Sequence, residues 1–161
     1  MAVIIYRQDV RLVEWVNQRL ALRFDPAAVR TIATVDDDGA MLAVVVYSRF
    51  AEHGCEMTIA SDSPRWATRK FLKAAFQYPF IQLGYERVTF VTTAENIKTI
   101  DMLKRLGAKQ EGVLRRWFGE TDGIVFGLLS EELIWTRNDS TQKDSKQISR
   151  SLMDAGCGVA V

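Results

Sequence analysis

The sequence predicts one domain of mixed α and β structure, with helices on both faces of a mixed β-sheet of about six to seven strands. The first observation is the order of apolar patterns, which alternate between strand and helix periods as β α β β β α β α β β. The second is an Asp-Gly turn between two early strands, which indicates a hairpin. The third is a strand–helix–strand unit at residues 86–112, which indicates a crossover. Hairpins that lead into a crossover give a mixed sheet of the α+β class.

Composition narrows the class of protein. The 161 residues suffice for one domain, their 48% hydrophobic content suffices for a core, and the net charge is +1. This charge gives no reason to expect nucleic acid or an anionic membrane as a partner, and no apolar run reaches membrane-spanning length. Cys55 and Cys157 lie far apart, which favours reduced thiols and a cytoplasmic location. With His53 as the single histidine, we expect no metal site.

The first half of the chain is predicted to form a strand, a helix and three further strands. Residues 3–7 form the first strand, and Asp9 stands where it can cap the following helix. The helix is predicted to have an apolar face, made of Val10, Leu12, Val13, Trp15, Val16 and Leu20. The strands that follow are predicted at residues 31–35, 41–47 and 55–60.

A second helix is predicted to begin near Ser63 and to run through Phe76. Ser63 has the side chain of a helix N-cap, and Pro64 suits the first helical position, where no N–H is needed. Pro79 is expected to end or kink the helix, because a proline ring cannot continue the helical hydrogen-bond pattern.

The unit at residues 86–112 carries the clearest local signals. Residues 87–93 alternate as a strand, Asn96 is a typical N-cap, and Gly107 is a typical left-handed residue after a helix. Between these two, apolar side chains recur at helical spacing, namely at Ile97, Ile100, Leu103 and Leu106. We expect the last three of them to pack the helix on the sheet.

Two paired strands and a polar tail complete the chain. Residues 113–118 and 123–129 read as strands joined by a turn. From about Thr136 the composition becomes almost wholly polar up to Arg150, which predicts a disordered segment. We therefore expect a domain at residues 1–135 and a tail at residues 136–161. The tail can form contacts in a homodimer or with an assembly partner.

The order of elements and three short motifs together resemble the GNAT superfamily of N-acetyltransferases. Members of that family begin the corresponding helix with Asn and end it with Gly and an apolar residue, as Asn96 and Gly107-Ala108 do here. Glu111-Gly112 followed by Leu114-Arg115 is similar to a segment of the branch that acetylates ribosomal-protein N-termini. The resemblance covers roughly residues 33–133 and implies a GNAT-like fold.

The resemblance also implies acetyl-CoA as co-substrate, held in a V-shaped opening between the two strands that flank the second helix. The pantetheine arm is expected along the backbone at Ile59 and Ala60, and against Asn96 and Thr99. The pyrophosphate is expected at the turn into the next helix, where free N–H groups and the helix dipole favour an anion.

The pyrophosphate turn departs from the family pattern, because Trp66 and Thr68 stand where the family has glycines. Arg65 and Arg69 can supply charge and Thr68 a hydroxyl, whereas Asp62 would repel a phosphate. The Trp66 ring can lie over the cofactor or block the close approach that glycines allow. The alternative is a plain capped helix start whose tryptophan packs on the sheet.

Acetyl transfer requires a base that takes a proton from the amine and an acid that protonates the leaving thiolate. Glu56 is the predicted base, because it lies on the strand that the resemblance assigns to the cofactor. Leu103 stands where many family members carry a tyrosine as the acid, and His53 falls in a turn. Residues 115–117 are expected to border the acceptor site.

Two classes of function stay open. The first is an acetyl-CoA-dependent N-acetyltransferase that acts on an amine of a protein or a small molecule by direct attack. The second is a non-catalytic GNAT-like domain with a binding or assembly role, for example a bacteriophage protein or a virion component. The missing glycines and Leu103 favour the second class, and binding of acetyl-CoA discriminates between the two.

Overall fold

The computed structural model describes residues 2–20 and 22–133 of the chain. Within these residues seven strands form one sheet, as predicted, and three α-helices lie against it. The strands are β1 (Val3–Tyr6), β2 (Arg30–Val35), β3 (Met41–Ser48), β4 (Gly54–Ser61), β5 (Arg87–Thr93), β6 (Lys109–Phe118) and β7 (Thr121–Leu129). The helices are α1 (Asp9–Asn17), α2 (Arg69–Gln77) and α3 (Ile97–Leu106). None of these helices is long and apolar enough to cross a membrane. The predicted tail at residues 136–161 lies outside the described residues.

The strands follow the order β1-β2-β3-β4-β5-β7-β6 across the sheet. Every neighbouring pair is antiparallel except β4 and β5. The hairpin between β2 and β3 turns at Gly39, whose φ of 80° suits glycine, and the Asp36 carboxylate accepts the N–H groups of Asp38 and Ala40. The connection through α2 returns the chain to the same end of the sheet, so β5 runs parallel to β4.

The helices cover both faces of the sheet, as predicted. On one face α1 packs in a cluster whose members are Leu12, Val13, Val16, Val29, Ala33, Val44, Val46 and Ala60. On the other face α2 and α3 share a larger cluster, which includes Val45, Tyr47, Met57, Ile59, Phe71, Phe76, Phe90, Leu103, Leu106 and Phe126. Alternation along a strand explains this division, because neighbouring residues such as Val44 and Val45 point to opposite faces.

Helix α1 differs from its prediction in its cap and in one side chain. Val10 is 71% exposed, because the helical repeat turns it away from the face that Val13 and Val16 present to the sheet. The Asp9 carboxylate does not cap the helix. It accepts a 2.7 Å hydrogen bond from the hydroxyl of Thr31 on β2 and so ties the start of α1 to the sheet.

Helix α2 begins later than predicted. Ser63 caps only a short 3-10 turn (Pro64–Trp66), and Thr68 is the residue that caps α2, because its hydroxyl accepts the N–H of Phe71 at 3.2 Å. The later cap is the one followed by a continuous buried face, which consists of Phe71, Leu72, Ala75 and Phe76. After α2 the chain widens into a π-helical turn (Tyr78–Gln82) that contains Pro79, so the predicted break is confirmed.

Both ends of α3 are formed as predicted. The Asn96 side-chain oxygen accepts the N–H of Thr99 at 3.2 Å, and Gly107 ends the helix with a φ of 100°. A Cβ atom at Gly107 would also lie 2.8 Å from the carbonyl oxygen of Glu132. Glycine therefore meets two requirements there, a left-handed backbone and a close approach of another segment.

The buried face of α3 is confirmed at Leu103 and Leu106, and Ile100 is partly buried against the same cluster. Ile97 is 60% exposed, contrary to its predicted place on the apolar face. At about 100° per residue, nine residues put Ile97 on the side of the helix opposite Leu106. Met102 is buried on the sheet side instead.

Candidate functional site

The parallel strands β4 and β5 part after three residue pairs. The pairs are Gly54–Arg87, Cys55–Val88 and Glu56–Thr89. Beyond them β4 continues to Ser61 beside β3, and β5 continues to Thr93 beside β7. The facing edges thus carry backbone groups that do not pair with each other and that a ligand can use. This is the V-shaped opening implied by the resemblance, and Ile59 and Ala60 lie in the part of β4 that β5 does not reach.

The N-terminus of α2 follows the open end of β4 and is strongly basic. Its first turn carries the exposed side chains of Arg69 and Lys70 and no acidic residue. Cations at the positive end of the helix dipole disfavour the helix. An anion bound there offsets both the dipole and the charge of the cations. Arg65, on the preceding turn, adds an exposed guanidinium that lies 3.7 Å from the Asp36 carboxylate. This end of α2 is suited to a phosphate group.

The two residues that replace the family glycines have different surroundings. Thr68 is partly exposed, and its hydroxyl oxygen caps α2. Trp66 is 2% exposed, and its ring meets Phe71 edge to face with centroids 6.2 Å apart. Trp66 is therefore a core residue in this structure, and a ligand touches the ring only after the ring moves. The segment has the form of the alternative prediction, a capped helix start with a packed tryptophan.

Asp62, which the sequence predicts to repel a phosphate, is paired with Arg19. The guanidinium nitrogens contact the Asp62 carboxylate at distances from 2.7 to 2.9 Å. The same guanidinium lies 3.7 Å above the Trp15 ring. A charge-assisted pair of this geometry offsets the charge of the carboxylate and so reduces its repulsion of a nearby anion. Arg19 follows α1, and no local sequence pattern indicates this long-range contact.

Two buried hydroxyl groups flank the opening, one on each side. Ser61 ends β4, and Thr99 lies in the first turn of α3, directly after β5. Both side-chain oxygens are inaccessible to solvent and make no hydrogen bond within the described residues. Unpaired buried hydroxyls are uncommon, but those of Thr34 on β2 and Ser48 on β3 have the same status, so this feature alone does not mark a ligand contact. Thr99 and its neighbour Asn96 are predicted contacts of the pantetheine arm, and Ser61 is a residue that the sequence did not indicate.

Glu56 lies at the closed end of the opening. It belongs to the last residue pair of the β4–β5 ladder, on the sheet face opposite α2. Burial raises the pKa of its carboxyl above the ordinary value, and the charge of Arg49 lowers it by a smaller amount. A carboxylate that is partly desolvated in this way holds a proton more tightly than an exposed one. Glu56 is thus chemically suited to the predicted role of a base.

Trp117 and Arg49 complete the surroundings of Glu56. The Arg49 guanidinium carbon lies 5.3 Å from the centre of the Trp117 ring, and its Nε lies 3.6 Å from the Glu56 carboxylate. Trp117 thus stands near Glu56, where the acceptor border was expected. The sequence does not predict a role for Arg49 here, because the residues that it contacts lie on β4 and β6, and the sequence around residue 49 does not indicate these contacts.

The other residues considered for catalysis lie in unsuitable surroundings. Leu103 is fully buried in the core, and His53 is exposed, with ring nitrogens 3.8 to 3.9 Å from Glu52 and Glu86. Arg115 and Arg116 are exposed on β6, where the strand bulges. No group of three residues that could hold a metal ion occurs within residues 2–20 and 22–133.

Comparison of structures defines the class of fold. The described chain has the fold of the GNAT N-acetyltransferases, so the predicted resemblance is confirmed for the fold. No protein-family model matches the sequence, and no curated protein matches it.

Three solved structures illustrate the match. Mutant forms of the spermidine/spermine N-acetyltransferase SpeG from Vibrio cholerae align over 86% of this chain and 100% of their own, with 14% identity and a TM-score of 0.69. A structure from Desulfovibrio desulfuricans assigned to the GNAT family aligns over 80% and 99%, with 18% identity and a TM-score of 0.62. The ribosomal-protein-S5-alanine acetyltransferase from Vibrio fischeri aligns over 77% and 69%, with 15% identity and a TM-score of 0.57.

Proposed function

We propose that this chain is an acetyl-CoA-dependent N-acetyltransferase that transfers an acetyl group to an amine of a protein or a small molecule. The observation that carries the proposal is the parting of β4 and β5 after three residue pairs. A basic helix N-terminus follows the open end of this V, and the partly buried Glu56 lies at its closed end. We assign to these two features the anion site and the proton acceptor that the reaction requires.

The residues of the opening fit the cofactor that the fold implies. Acetyl-CoA would supply the thioester carbonyl, and the free edge of β4 at Ile59 and Ala60 would bind the amides of its pantetheine arm. Asn96 and Thr99 stand on the other arm of the V, where the Thr99 hydroxyl has no partner among the described residues. Thr99 is fully buried, so a ligand reaches its hydroxyl only if neighbouring atoms move.

The pyrophosphate is assigned to the start of α2. Arg65 and Arg69 supply positive charge, and Thr68 supplies its hydroxyl group in addition to capping the helix. Hydrogen bonds between guanidinium and phosphate are among the stronger ones in proteins, so they can replace backbone contacts that glycines would allow. Trp66 takes part in this proposal only if its ring leaves the core.

We assign to Glu56 the role of the base. It removes a proton from the ammonium form of the acceptor and so leaves a neutral amine. The neutral amine then forms the new C–N bond while the C–S bond breaks, the nitrogen loses a further proton, and the departing sulfur gains one. The raised pKa of Glu56 brings its basicity closer to that of the acceptor. We assign no side chain to the protonation of sulfur, because the apolar Leu103 occupies the position of the usual tyrosine.

The test combines calorimetric titration with acetyl-CoA and an assay of thiol release with a panel of amines. The structural neighbours suggest spermidine and a peptide with an N-terminal alanine as the first acceptors. We expect acetyl-CoA to bind, and thiol release to depend on the amine. Glu56→Gln should keep cofactor binding and lose turnover, whereas Glu52→Gln, which changes an exposed carboxylate, should lose neither. No binding at millimolar acetyl-CoA would refute the proposal.

The second candidate is a non-catalytic domain with this fold and a binding or assembly role. Burial of Trp66 favours it, because a core side chain occupies the turn that would hold the pyrophosphate. A bacteriophage or virion origin, a cytoplasmic location and a homodimer stay predictions from the sequence.

A further inference from the structure

Three side chains from separate parts of the chain meet on the sheet face that carries Glu56. One of them, the guanidinium of Arg49, lies between the ring of Trp117 on β6 and the Glu56 carboxylate on β4. An aromatic ring and a carboxylate are the two kinds of group that bind an alkylammonium ion. In this structure the cation between them is one of the protein's own side chains.

The Trp117 ring is held against the sheet by the backbone beneath it. The pairing of β6 with β7 is irregular between Leu114 and Phe118, and this bulge places Trp117 over β7. A Cβ atom at Gly123 would lie 3.0 Å from the Cβ of Trp117 and 3.1 Å from its Cγ, so any larger residue there would push Trp117 away by a few tenths of an ångström. Gly123 pairs with Thr93 at the end of β5, so Trp117 starts from the open end of the V, whereas Glu56 lies at its closed end. The Arg49 guanidinium is near enough to contact both side chains.

Arg49 is the weakly held member of this group. Its side chain is 63% exposed, whereas that of Glu56 is 13% exposed. The distance of 3.6 Å from Arg49 Nε to the carboxylate is too long for a hydrogen bond. A cation–π contact of an exposed arginine is weak, and so is an ion pair with one exposed partner. Another cation can therefore take its place.

We propose that the space between the Trp117 ring and the Glu56 carboxylate binds the ammonium group of the acceptor, and that Arg49 occupies this space in the free protein as a displaceable cation. The fate of the bound amine rests on the proposed function, but the binding of a cation does not. The ring offers an apolar surface and the carboxylate one negative charge. The ligand class is thus an alkylammonium ion, with its charge at the carboxylate and its apolar stem against the ring.

Displacement has a measurable consequence. The apparent affinity for an amine is reduced in proportion to the time that Arg49 spends in the site. Removing the guanidinium should therefore tighten amine binding, the opposite of what is expected if Arg49 were itself a contact of the ligand. Asn is the suitable replacement, because Arg49 has a φ of 48° and Asn tolerates this left-handed backbone.

The probe is n-butylammonium, titrated without acetyl-CoA while the indole N–H signal of Trp117 is followed by NMR. The signal is identified by its loss in Trp117→Phe, and n-butanol serves as the neutral control. We expect a shift with n-butylammonium and none of comparable size with n-butanol. Arg49→Asn should lower the midpoint by about three- to tenfold, as the strength of one such contact suggests. Arg49→Lys, which keeps a cation, should stay near the wild type.

Two further variants complete the design. Glu56→Gln should raise the midpoint, because it removes the charge of the site. Arg19→Gln removes another arginine that is stacked on a tryptophan and paired with an acid, and should leave the Trp117 midpoint unchanged. An unchanged or higher midpoint in Arg49→Asn would overturn the inference, as would the absence of any shift in both it and the wild type. Failure of acetyl-CoA to bind would refute the proposed function and leave this result standing.

Discussion

The phenol of Tyr47 donates a 2.6 Å hydrogen bond to the backbone carbonyl of Ala75. Tyr47 lies on β3 and Ala75 in α2, so the bond joins the helix to the centre of the sheet. In a regular helix this carbonyl would accept the N–H four residues later, but that residue is Pro79, which has none. Tyr47 supplies the missing donor, and its own buried hydroxyl is satisfied by the same contact.

We predict that Tyr47→Phe lowers the free energy of unfolding by about 1–3 kcal/mol, the cost of an unsatisfied buried carbonyl. Pro79→Ala restores an N–H at the position from which a helix normally satisfies Ala75. The effect of Tyr47→Phe should therefore be smaller in the Pro79→Ala background, which chemical denaturation of the four proteins can measure. An equal loss in both backgrounds would show that Pro79 is not the reason for the bond.

One leucine and one isoleucine on α3 form a matched pair for testing the core. Leu106→Ala should cost about 2–5 kcal/mol, because the side chain is buried between helix and sheet. Ile97→Ala, on the same helix, should change stability by no more than about 0.5 kcal/mol, because Ile97 is largely exposed. Denaturant titrations give both values, and similar costs at the two positions would contradict the observed orientation of α3.

Glu56 is predicted to make stability depend on pH in a defined direction. Burial raises its pKa in the folded protein above the ordinary value of 4.5, so the native state binds this proton more tightly than the unfolded chain. The contribution of Glu56 to stability therefore falls as the pH rises from about 4.5 through the raised native pKa. Over this window the melting temperature of Glu56→Gln should rise relative to the wild type.

Thermal melts at a series of pH values test this sign. Glu52→Gln, which alters an exposed carboxylate on the neighbouring turn, is the control and should follow the wild type throughout. An advantage of Glu56→Gln that grows as the pH falls would mean that the native pKa is depressed. That result would also remove the physical basis for Glu56 as a base of raised pKa.

Arg69→Ala tests the anion site at the start of α2. If the pyrophosphate of acetyl-CoA binds there, loss of one charge-assisted hydrogen bond of about 1.5–3 kcal/mol should weaken binding by roughly tenfold or more. The weakening should shrink at high salt, because screening reduces the contribution of an exposed charge. Calorimetric titration measures it, with Arg105→Ala, in the last turn of α3, as a control of equal charge. Equal weakening in both variants would indicate a nonspecific effect of net charge.

The parts of the fold that local sequence predicts are those with local causes. The cap at Asn96 and the stop at Gly107 need only their own backbone neighbours, and both are formed. The sequence places the start of α2 too early, because Ser63 and Thr68 are both good caps and the continuous buried face decides between them. The exposure of Ile97 follows from the helical repeat once the sheet side of α3 is known.

The candidate site was predictable only in outline, because its contacts join distant segments. Resemblance to the GNAT family predicts the opening between β4 and β5. The alternation of side chains along β4 predicts that Glu56 shares one face of the sheet with Thr58 and Ala60. The guanidinium of Arg49 depends on a left-handed residue after β3 and on a bulge in β6, and neither has a local signature. The burial of Trp66 depends on Phe71 and the sheet beneath, so two readings of one turn stayed open.

The short β4–β5 ladder also determines how the two halves of the sheet hold together. Within the halves β1–β2–β3–β4 and β5–β7–β6, neighbouring strands share four to seven residue pairs, but the halves share only three. Backbone hydrogen bonds alone would make this junction a hinge. Side chains bridge it instead, since one apolar cluster contains Met57 from one half and Phe90 from the other, with Leu103 from α3. The rigidity of the domain across its centre is therefore a property of side-chain packing, and core substitutions there would loosen one half against the other.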